Sequence, residues 1–466
     1  MLDVSREDIT DGSLVRALLV LAAPLVVQNL VQVVQNVVDT FWVGRLGEDA
    51  VAAVGLNFPV MALIFAVATT VLTGTQVLVA QRAGGEDADG VRRAVFHGLT
   101  LALAAGTAVG VVVVSGADVI IGLLTTGGDV APQAAVYLGT VMLALPFATM
   151  SDAIEGGFIG WGDARASMYV NVTAVVVNLG LDPFLILGWG PFFEPMGVRG
   201  AALATAAGYT AGFALALGML LRGRDGLTLT RESATFDLEE YREILDIGAP
   251  RGGQVIAAQS VRVLIIAIVS AVSGSAGLAA YTVGARIASV AFIPASGLSG
   301  AAQSVVGQNL GADKPDRARR ATWVGVAIAA GGLTVVGAIQ WFVPELLVNV
   351  FVPDMTEDGI ELSVRYLRIL VFGYWAIGAT YLFSAGFNGA RRTKVSMVAD
   401  LVKYWGVRLP IAAVGALWLG YDVIAVFWAV TISNVVGAIG VGCYYYYTTN
   451  NGMLKRAAEK ARAAAD

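Results

Sequence analysis

Cysteine and histidine are almost absent from the 466-residue chain, which has one of each, Cys443 and His97. A lone cysteine excludes an intramolecular disulfide and a lone histidine excludes a His-cluster metal site, so redox and zinc chemistry are not expected. Charge is scarce as well. Asp, Glu, Lys and Arg make up 14% of the residues against 57% hydrophobic ones, with a mean hydropathy of +0.72, whereas soluble domains carry about a quarter charged residues. The opening MLDVSREDITDGS lacks the basic start of a signal peptide and leads into a full-length apolar stretch, so a retained N-terminus is expected. The net charge of −5 and the preponderance of Arg over Lys fit a high-salt origin and an Arg-rich codon bias equally.

What is present is apolar sequence of helical length, repeated along the chain without the short alternation of a β-barrel; the class is all-α polytopic membrane protein. Windows of about 20 residues predict twelve spans, near 16–43, 52–80, 94–121, 133–160, 167–188, 198–221, 244–271, 278–306, 322–350, 361–386, 395–415 and 423–447. Loops on one side hold nineteen Lys and Arg and the opposite loops only Arg45 and Arg199. Counting Arg365 and Arg368 at a span edge does not reverse that bias. The positive-inside rule therefore predicts a multi-pass protein of the plasma membrane with both termini cytoplasmic.

The chain repeats itself. At an offset of 227 residues, VAQRAGGEDADGVRRA (79–94) meets VGQNLGADKPDRARRA (306–321) with seven identities in sixteen positions, and the offset also matches Gly47 to Gly274, Gln76 to Gln303 and Pro183 to Pro410. Six spans per half, an even number, predict two six-helix lobes related by a pseudo-two-fold axis along the membrane normal, a two-lobed transporter plan. The predicted organisation is an N-lobe over 1–221, a polar cytoplasmic linker over 222–243, a C-lobe over 244–448 and a cytoplasmic tail over 449–466.

Two carboxylates break the apolar pattern: Asp39 in LVQVVQNVVDTFWVG and Asp182 in VTAVVVNLGLDPFLILGW. Each costs about 2.5 to 3.5 kcal/mol to place at mid-membrane, so a compensating role is expected. Gln28, Gln32, Gln35 and Asp39, at spacings of four, three and four, share one helix face, as do Asn171, Asn178 and Asp182. Thr205, in GAALAT, reaches the same outer third of the membrane. Two carboxylates, an amide and a hydroxyl can thus converge on one point, where they would carry a proton or bind a hard cation such as Na⁺. At the repeat offset Asp39 faces Ile266, Asp182 faces Leu409 and Asn178 faces Trp405, so the pair belongs to one half only, which favours function over packing. Pro24 falls inside the first span and permits a kink there.

These residues together resemble the multidrug and toxic compound extrusion (MATE) family, within it the archaeal and DNA-damage-inducible branch. The similarity is carried by residues 22–56, VLVAQRAGGEDADGVRRA (77–94), NLGLDPFLILGW (178–189), GVRGAALAT (197–205) and VGQNLGADKPDRARRA (306–321). It implies twelve helices in two lobes, a V-shaped cavity and efflux of amphipathic or cationic organic compounds in exchange for H⁺ or Na⁺. It also implies that Asp39, Asn178, Asp182 and Thr205 form the cation site, and that Pro24, Gln32 and Tyr137 shape a bending helix and its cavity, where Gln35 on the same face is placed too. One departure stands out: other branches carry an acidic residue in the seventh helix, where this chain has Gln254, Gln259 and Arg262.

The C-lobe holds its own charges within predicted spans, Arg262, Arg286, Asp400, Lys403 and Arg408, read either as internal ion pairs or as cleft-lining groups. Asp152 and Glu155 near the inner end of span four are read as gate contacts or solvated side chains. The alternative to drug efflux is a lipid or lipid-linked oligosaccharide flippase, which calls for a basic cavity rather than this acidic, amide-rich one. An intramembrane prenyl transferase needs clustered aspartates that the spans lack, and a channel needs a ring of carboxylates. The expected partners are small-molecule drugs or toxins and membrane lipids, with no nucleic acid, no cofactor beyond the coupling ion, and a monomeric state.

Overall fold

The computed structural model describes residues 6–125, 130–352 and 355–463. Within these the regular structure is helical and no strand occurs, as expected where each apolar segment must satisfy its own backbone hydrogen bonds. Packing divides the described chain into two compact units. One runs from Val27 to Gly252; the other combines the residues up to Val26 with those from Gly253 onward.

This boundary differs from the predicted one at the 222–243 linker. Polarity marks where the chain leaves the membrane, but the units part inside two apolar helices. The first of these follows a short helix, α1 (Arg6–Thr10), and is α2 (Leu14–Gly44). Its N-terminal part is held in the second unit. Arg317 donates to the carbonyls of Ile9 at 3.1 Å and Gly12 at 2.5 Å, and Lys314 pairs with Asp11 at 2.7 Å. Gly297 lets the helix approach, since a Cβ there would lie 3.0 Å from the Val26 nitrogen. The kink anticipated at Pro24 is not a break: α2 stays helical from Leu14 to Gly44, with Pro24 buried.

The Val27–Gly252 unit continues through α3 (Glu48–Leu56), α4 (Phe58–Gly84), α5 (Ala88–Gly122), α6 (Val130–Met142), α7 (Leu145–Trp161), α8 (Ala164–Leu187), α9 (Val198–Leu221) and the opening of α10 (Leu238–Ala291). Local chemistry sets the ends. Asp87 and Asp163 cap α5 and α8 by accepting from the N–H groups of Gly90 at 2.7 Å and Ala166 at 3.1 Å, while Gly162 and Gly188 close α7 and α8 in the left-handed conformation. Val77, Leu78, Val95, Ile154, Phe158, Leu220 and Ile244 form a fully buried core.

The linker is docked onto this unit. Arg224 donates to Asp163 at 2.6 Å, a bond that holds the guanidinium still more firmly protonated than usual, and Trp161 Nε1 donates to the Asp225 carbonyl at 3.0 Å. His97 binds it through Nε2, which accepts from the Asp237 N–H at 3.1 Å, while Nδ1 donates to the Arg93 carbonyl of its own helix at 2.8 Å. At the start of α10, Glu240 meets Arg82 at 2.9 Å, both side chains 8% exposed, and Arg82 also donates to the Gly90 carbonyl at 2.7 Å.

In the other unit α10 breaks at Gly274, where φ is 56°, and leads to α11 (Ile293–Gly311), α12 (Pro315–Phe342), α13 (Pro344–Phe351) and α14 (Glu357–Gly389). α15 (Thr393–Leu401), a π-helix over Val402–Arg408, α16 (Leu409–Ala413) and a second π-helix over Val414–Trp418 then form one composite run. α17 (Asp422–Asn450) and α18 (Met453–Ala463) follow. The predicted tail is thus an amphipathic helix, with Met453, Leu454 and Ala458 buried and Arg462 paired to Asp313 at 2.7 Å.

By length and composition nine helices among the described residues can cross a membrane, or ten if α6 and α7, bent by 49°, count as one span. Twelve were predicted. The difference arises where one apolar run is split into pieces, as in α15 and its π-helical continuation, or where two merge, as in the 54-residue α10. At about 1.5 Å per residue α10 would measure roughly 80 Å, far beyond one bilayer crossing.

The sequence repeat recurs in the backbone. Glu86 and Asp313, 227 positions apart, both adopt positive φ, 61° and 57°. Ala23-Pro24-x-x-x-Gln28 and Ala249-Pro250-x-x-x-Gln254 likewise match, and the chain changes unit two residues after each proline, at Val26 and at Gly252. The first helix of each repeat therefore begins in one unit and ends in the other.

Removing one member of a buried ion pair strands its partner. R82Q is expected to lower unfolding stability by about 3 kcal/mol or more, whereas R92Q, whose bond to Asp89 is exposed, should stay within about 0.5 kcal/mol. Denaturant titration of both variants in detergent checks the contrast.

Candidate cation site

Small residues bring the site together. A Cβ on Gly208 of α9 would lie 2.5 Å from the Ala174 carbonyl and 3.2 Å from Asn178 Cβ on α8, and Gly200 abuts the Leu185 carbonyl in the same way. With the two backbones in contact, Asn178 Nδ2 reaches Thr205 Oγ1 at 3.5 Å, and Thr205 spends its own proton on the Ala201 carbonyl at 3.0 Å. From α2, Gln35 Nε2 donates to Asn178 Oδ1 at 2.7 Å and Gln32 Nε2 donates to Gln35 Oε1 at 2.9 Å. The Tyr137 phenol of α6 lies beside Thr205.

Asp39 and Asp182 lie within hydrogen-bonding reach of each other. Turning the Asn178 amide over places its NH₂ 3.0 Å from Asp39 Oδ1 and its oxygen 3.2 Å from the Thr205 N–H. This orientation gives the carboxylate a donor, and it requires Gln35 to present its carbonyl to Asn178 in turn. Asp182 is 1% exposed, and its Oδ2 has no hydrogen-bond partner among the described residues. That oxygen is the open valence of the cluster.

Asp39, Asn178, Asp182, Thr205, Gln32, Gln35 and Tyr137 are thus brought together, all within the Val27–Gly252 unit. Pro24 is not; it lies in the part of α2 that packs in the other unit. The polar stripes also divide. Gln28 and Asn171, which share faces with Asp39 and Asp182, turn instead to Glu155 on α7. Glu155 accepts from Ser167 at 2.6 Å, Asn171 and Ser151 at 3.2 Å and Gln28 at 3.4 Å, and it is 3% exposed. The expectation of a solvated Glu155 is therefore corrected: four donors on three helices surround it. Sequence reasoning also missed Tyr209, whose phenol neighbours both Asp39 and Asp152. Its signal was the spacing of four from Thr205 on α9.

No group of three or more His, Cys, Asp or Glu side chains suited to a metal occurs among the described residues. The oxygens available are two carboxylates, an amide and a hydroxyl, a donor set that suits a proton or a hard monovalent cation.

Comparison with known proteins agrees with the repeat. The family model MatE matches the chain twice, over residues 24–184 and 250–414, one match per repeat. The chain belongs to the MatE family. Among relatives with curated names, an FAD transporter of Shewanella oneidensis is 26% identical over 447 residues, covering 94% of this chain and 96% of that one. The multidrug resistance protein PmpM of Pseudomonas aeruginosa is 28% identical over 404 residues, covering 85% and 83%. Among solved structures, a MATE protein in complex with MaL6 superimposes with a TM-score of 0.91 at 23% identity over 97% of this chain and 100% of that one. An outward-facing multidrug resistance MATE transporter gives 0.90 at 23% over 96% and 98%. The MatE fold is thus shared along nearly the whole chain.

The glycine contacts make a testable point. G208V should wedge α8 from α9, separate Asn178 from Thr205 and lower the melting temperature by several degrees, about 1 to 3 kcal/mol of overpacking. G218V, with nothing within 4 Å of the added Cβ, should melt like the parent in the same scan.

Proposed function

We propose that this MatE protein is a secondary active efflux transporter that exports amphipathic or cationic organic compounds in exchange for H⁺ or Na⁺. It acts as a monomer in the plasma membrane with both termini cytoplasmic, and it is a transporter rather than an enzyme. The observation that carries this reading is the close pair of half-buried Asp39 and buried Asp182, with its unsatisfied Asp182 Oδ2. Two carboxyl groups within hydrogen-bonding reach share a proton or a cation more readily than they stand side by side as two anions. H⁺ would bridge the two carboxyls directly. Na⁺ would add the Asn178 carbonyl and the Thr205 hydroxyl as oxygen ligands.

Exchange then follows from chemistry at one place. With the coupling ion bound the cluster is neutralised, and a cationic substrate gains little there; with the ion released, the carboxylates attract it. Binding of the two is mutually antagonistic, which is the linkage antiport requires. The amide chain Gln32–Gln35–Asn178 ties the state of the carboxylates to α2, the helix that passes from one unit to the other. The names of multidrug resistance relatives support a broad range of organic substrates.

The test is dye efflux from proteoliposomes energised by a pH gradient alone or by a Na⁺ gradient alone. D39N and D182N should each reduce driven efflux at least about tenfold, the scale of one lost hydrogen bond to a charged group. Only one of the two gradients should drive the parent. Full efflux by both variants would remove these residues from coupling.

A further inference from the structure

The proposed exchange leaves unused a set of basic side chains in the other unit. Arg262 lies on α10, roughly 18 Å along the helix from the Gly274 break at about 1.5 Å per residue, and is exposed on the surface of its unit. Arg408 is oriented rather than neutralised: Nε donates to Ser433 Oγ and Nη2 to Asn434 Oδ1, both at 2.9 Å and both uncharged. Among the described residues neither arginine has a carboxylate partner, whereas Lys403 pairs with Asp400 at 2.6 Å.

The backbone places these cations. Val402–Arg408 winds as a π-helix, whose i→i+5 bonding brings residues five apart into near alignment. Lys403 and Arg408, five apart, accordingly both stand over the Tyr404 ring, at 4.3 and 4.7 Å. Arg262 and Arg408 act on the same two phenols, Tyr281 and Tyr366. Those rings stack at 5.7 Å and 19°, and Tyr366 stacks in turn on Phe427 at 4.2 Å. Two guanidiniums from separate helices thus lie within electrostatic range of one stacked aromatic group.

Each uncompensated arginine in an apolar span costs about 2.5 to 3.5 kcal/mol. Ser433 and Asn434 fix the direction of Arg408 but supply no charge, and a guanidinium fork matches the paired oxygens of a carboxylate or phosphate. The repeat adds an independent observation. The Pro183–Pro410 match sets Leu181 and Asp182 against Arg408 and Leu409, and Arg262 lies one turn before Ile266, the counterpart of Asp39. The aspartates' counterparts are apolar, and a basic residue flanks each of them.

We propose that Arg262 and Arg408, backed by Tyr281 and Tyr366, form a subsite for the carboxylate or phosphate of an organic substrate, so that zwitterionic and anionic compounds are handled as well as cations. This rests on the efflux reading and widens its substrate class. The test uses the full chain in phosphatidylcholine nanodiscs, with fluorescence anisotropy of rhodamine B, which bears a free carboxylate, and of its ethyl ester, which keeps the cation and loses the anion. The parent should bind rhodamine B more tightly than the ester. R262Q should weaken rhodamine B about tenfold, one charge-assisted hydrogen bond, and erase the difference between the dyes, while R262K restores part of it. R408Q should act in the same direction.

Equal affinity of the parent for both dyes, or an equal loss of both dyes in R262Q, would overturn the subsite while leaving efflux of cations standing. Failure of the parent to bind either dye would count against both readings. Discrimination that disappears when phosphatidylglycerol is added to the nanodiscs would assign the arginines to a lipid headgroup and overturn the substrate assignment.

Discussion

A polar group held among apolar helices has no water to turn to, so its partners must come from other helices, and those helices must come close enough to supply them. Most of the Val27–Gly252 unit follows from that constraint. Asn178 can serve Thr205, Gln35 and Asp39 only because Gly200 and Gly208 remove the side chains that would hold α8 and α9 apart. Glu155 is tolerated because Ser151, Ser167, Asn171 and Gln28 all point at it. Asp182 keeps one oxygen unmatched, as do a few other buried groups of the unit such as Asn57 and Thr75. What sets the Asp182 oxygen apart is the second carboxyl beside it, which is why the proposed exchangeable ion is placed there.

Much of this was legible in the sequence, for physical reasons. Carboxylates stand out against an apolar background, and helical periodicity assigns residues to faces, so the convergence of Asp39, Asn178, Asp182 and Thr205 could be anticipated. Periodicity does not say which neighbour a face meets. Gln28 and Asn171 were assigned by face to the aspartate cluster, yet the rotation of α7 brings Glu155 to them first. The unit boundary was hidden for a similar reason. Hydropathy reports contact with lipid or water, and α2 reads as one apolar span from end to end; only packing reveals that its two parts belong to different units. The π-helical winding of 402–408 left no mark in composition, because it rearranges backbone bonds without changing residue types.

The repeat constrains the backbone more tightly than the chemistry. Positive φ at Glu86 and Asp313, and the change of unit two residues after Pro24 and Pro250, are kept in both copies. Side chains that hold the fold together are therefore expected twice, and those that appear once are free to serve function. The loops show the same division of labour. In one unit Arg82 and Arg93 bind the acidic start of α10, and in the other Lys314 and Arg317 bind the turn before α2. Basic loop residues clamp the entry to a repeat in both cases, with different individual bonds.

Acidic residues in one repeat, and basic residues flanking their counterparts in the other, have a consequence for how one protein can accept many compounds. A single acidic cluster must choose between coupling ion and substrate, so a cation bound there competes directly, and its affinity is limited by the exchange it takes part in. A basic subsite on the other repeat would not titrate with that cluster, because guanidinium stays charged across the physiological range. A substrate carrying an anionic group would then hold part of its binding energy through every stage at which the carboxylates change occupancy, while its cationic or apolar remainder is exchanged. Permanent charge in one repeat and exchangeable charge in the other would separate retention from coupling, which a pair of identical repeats could not do.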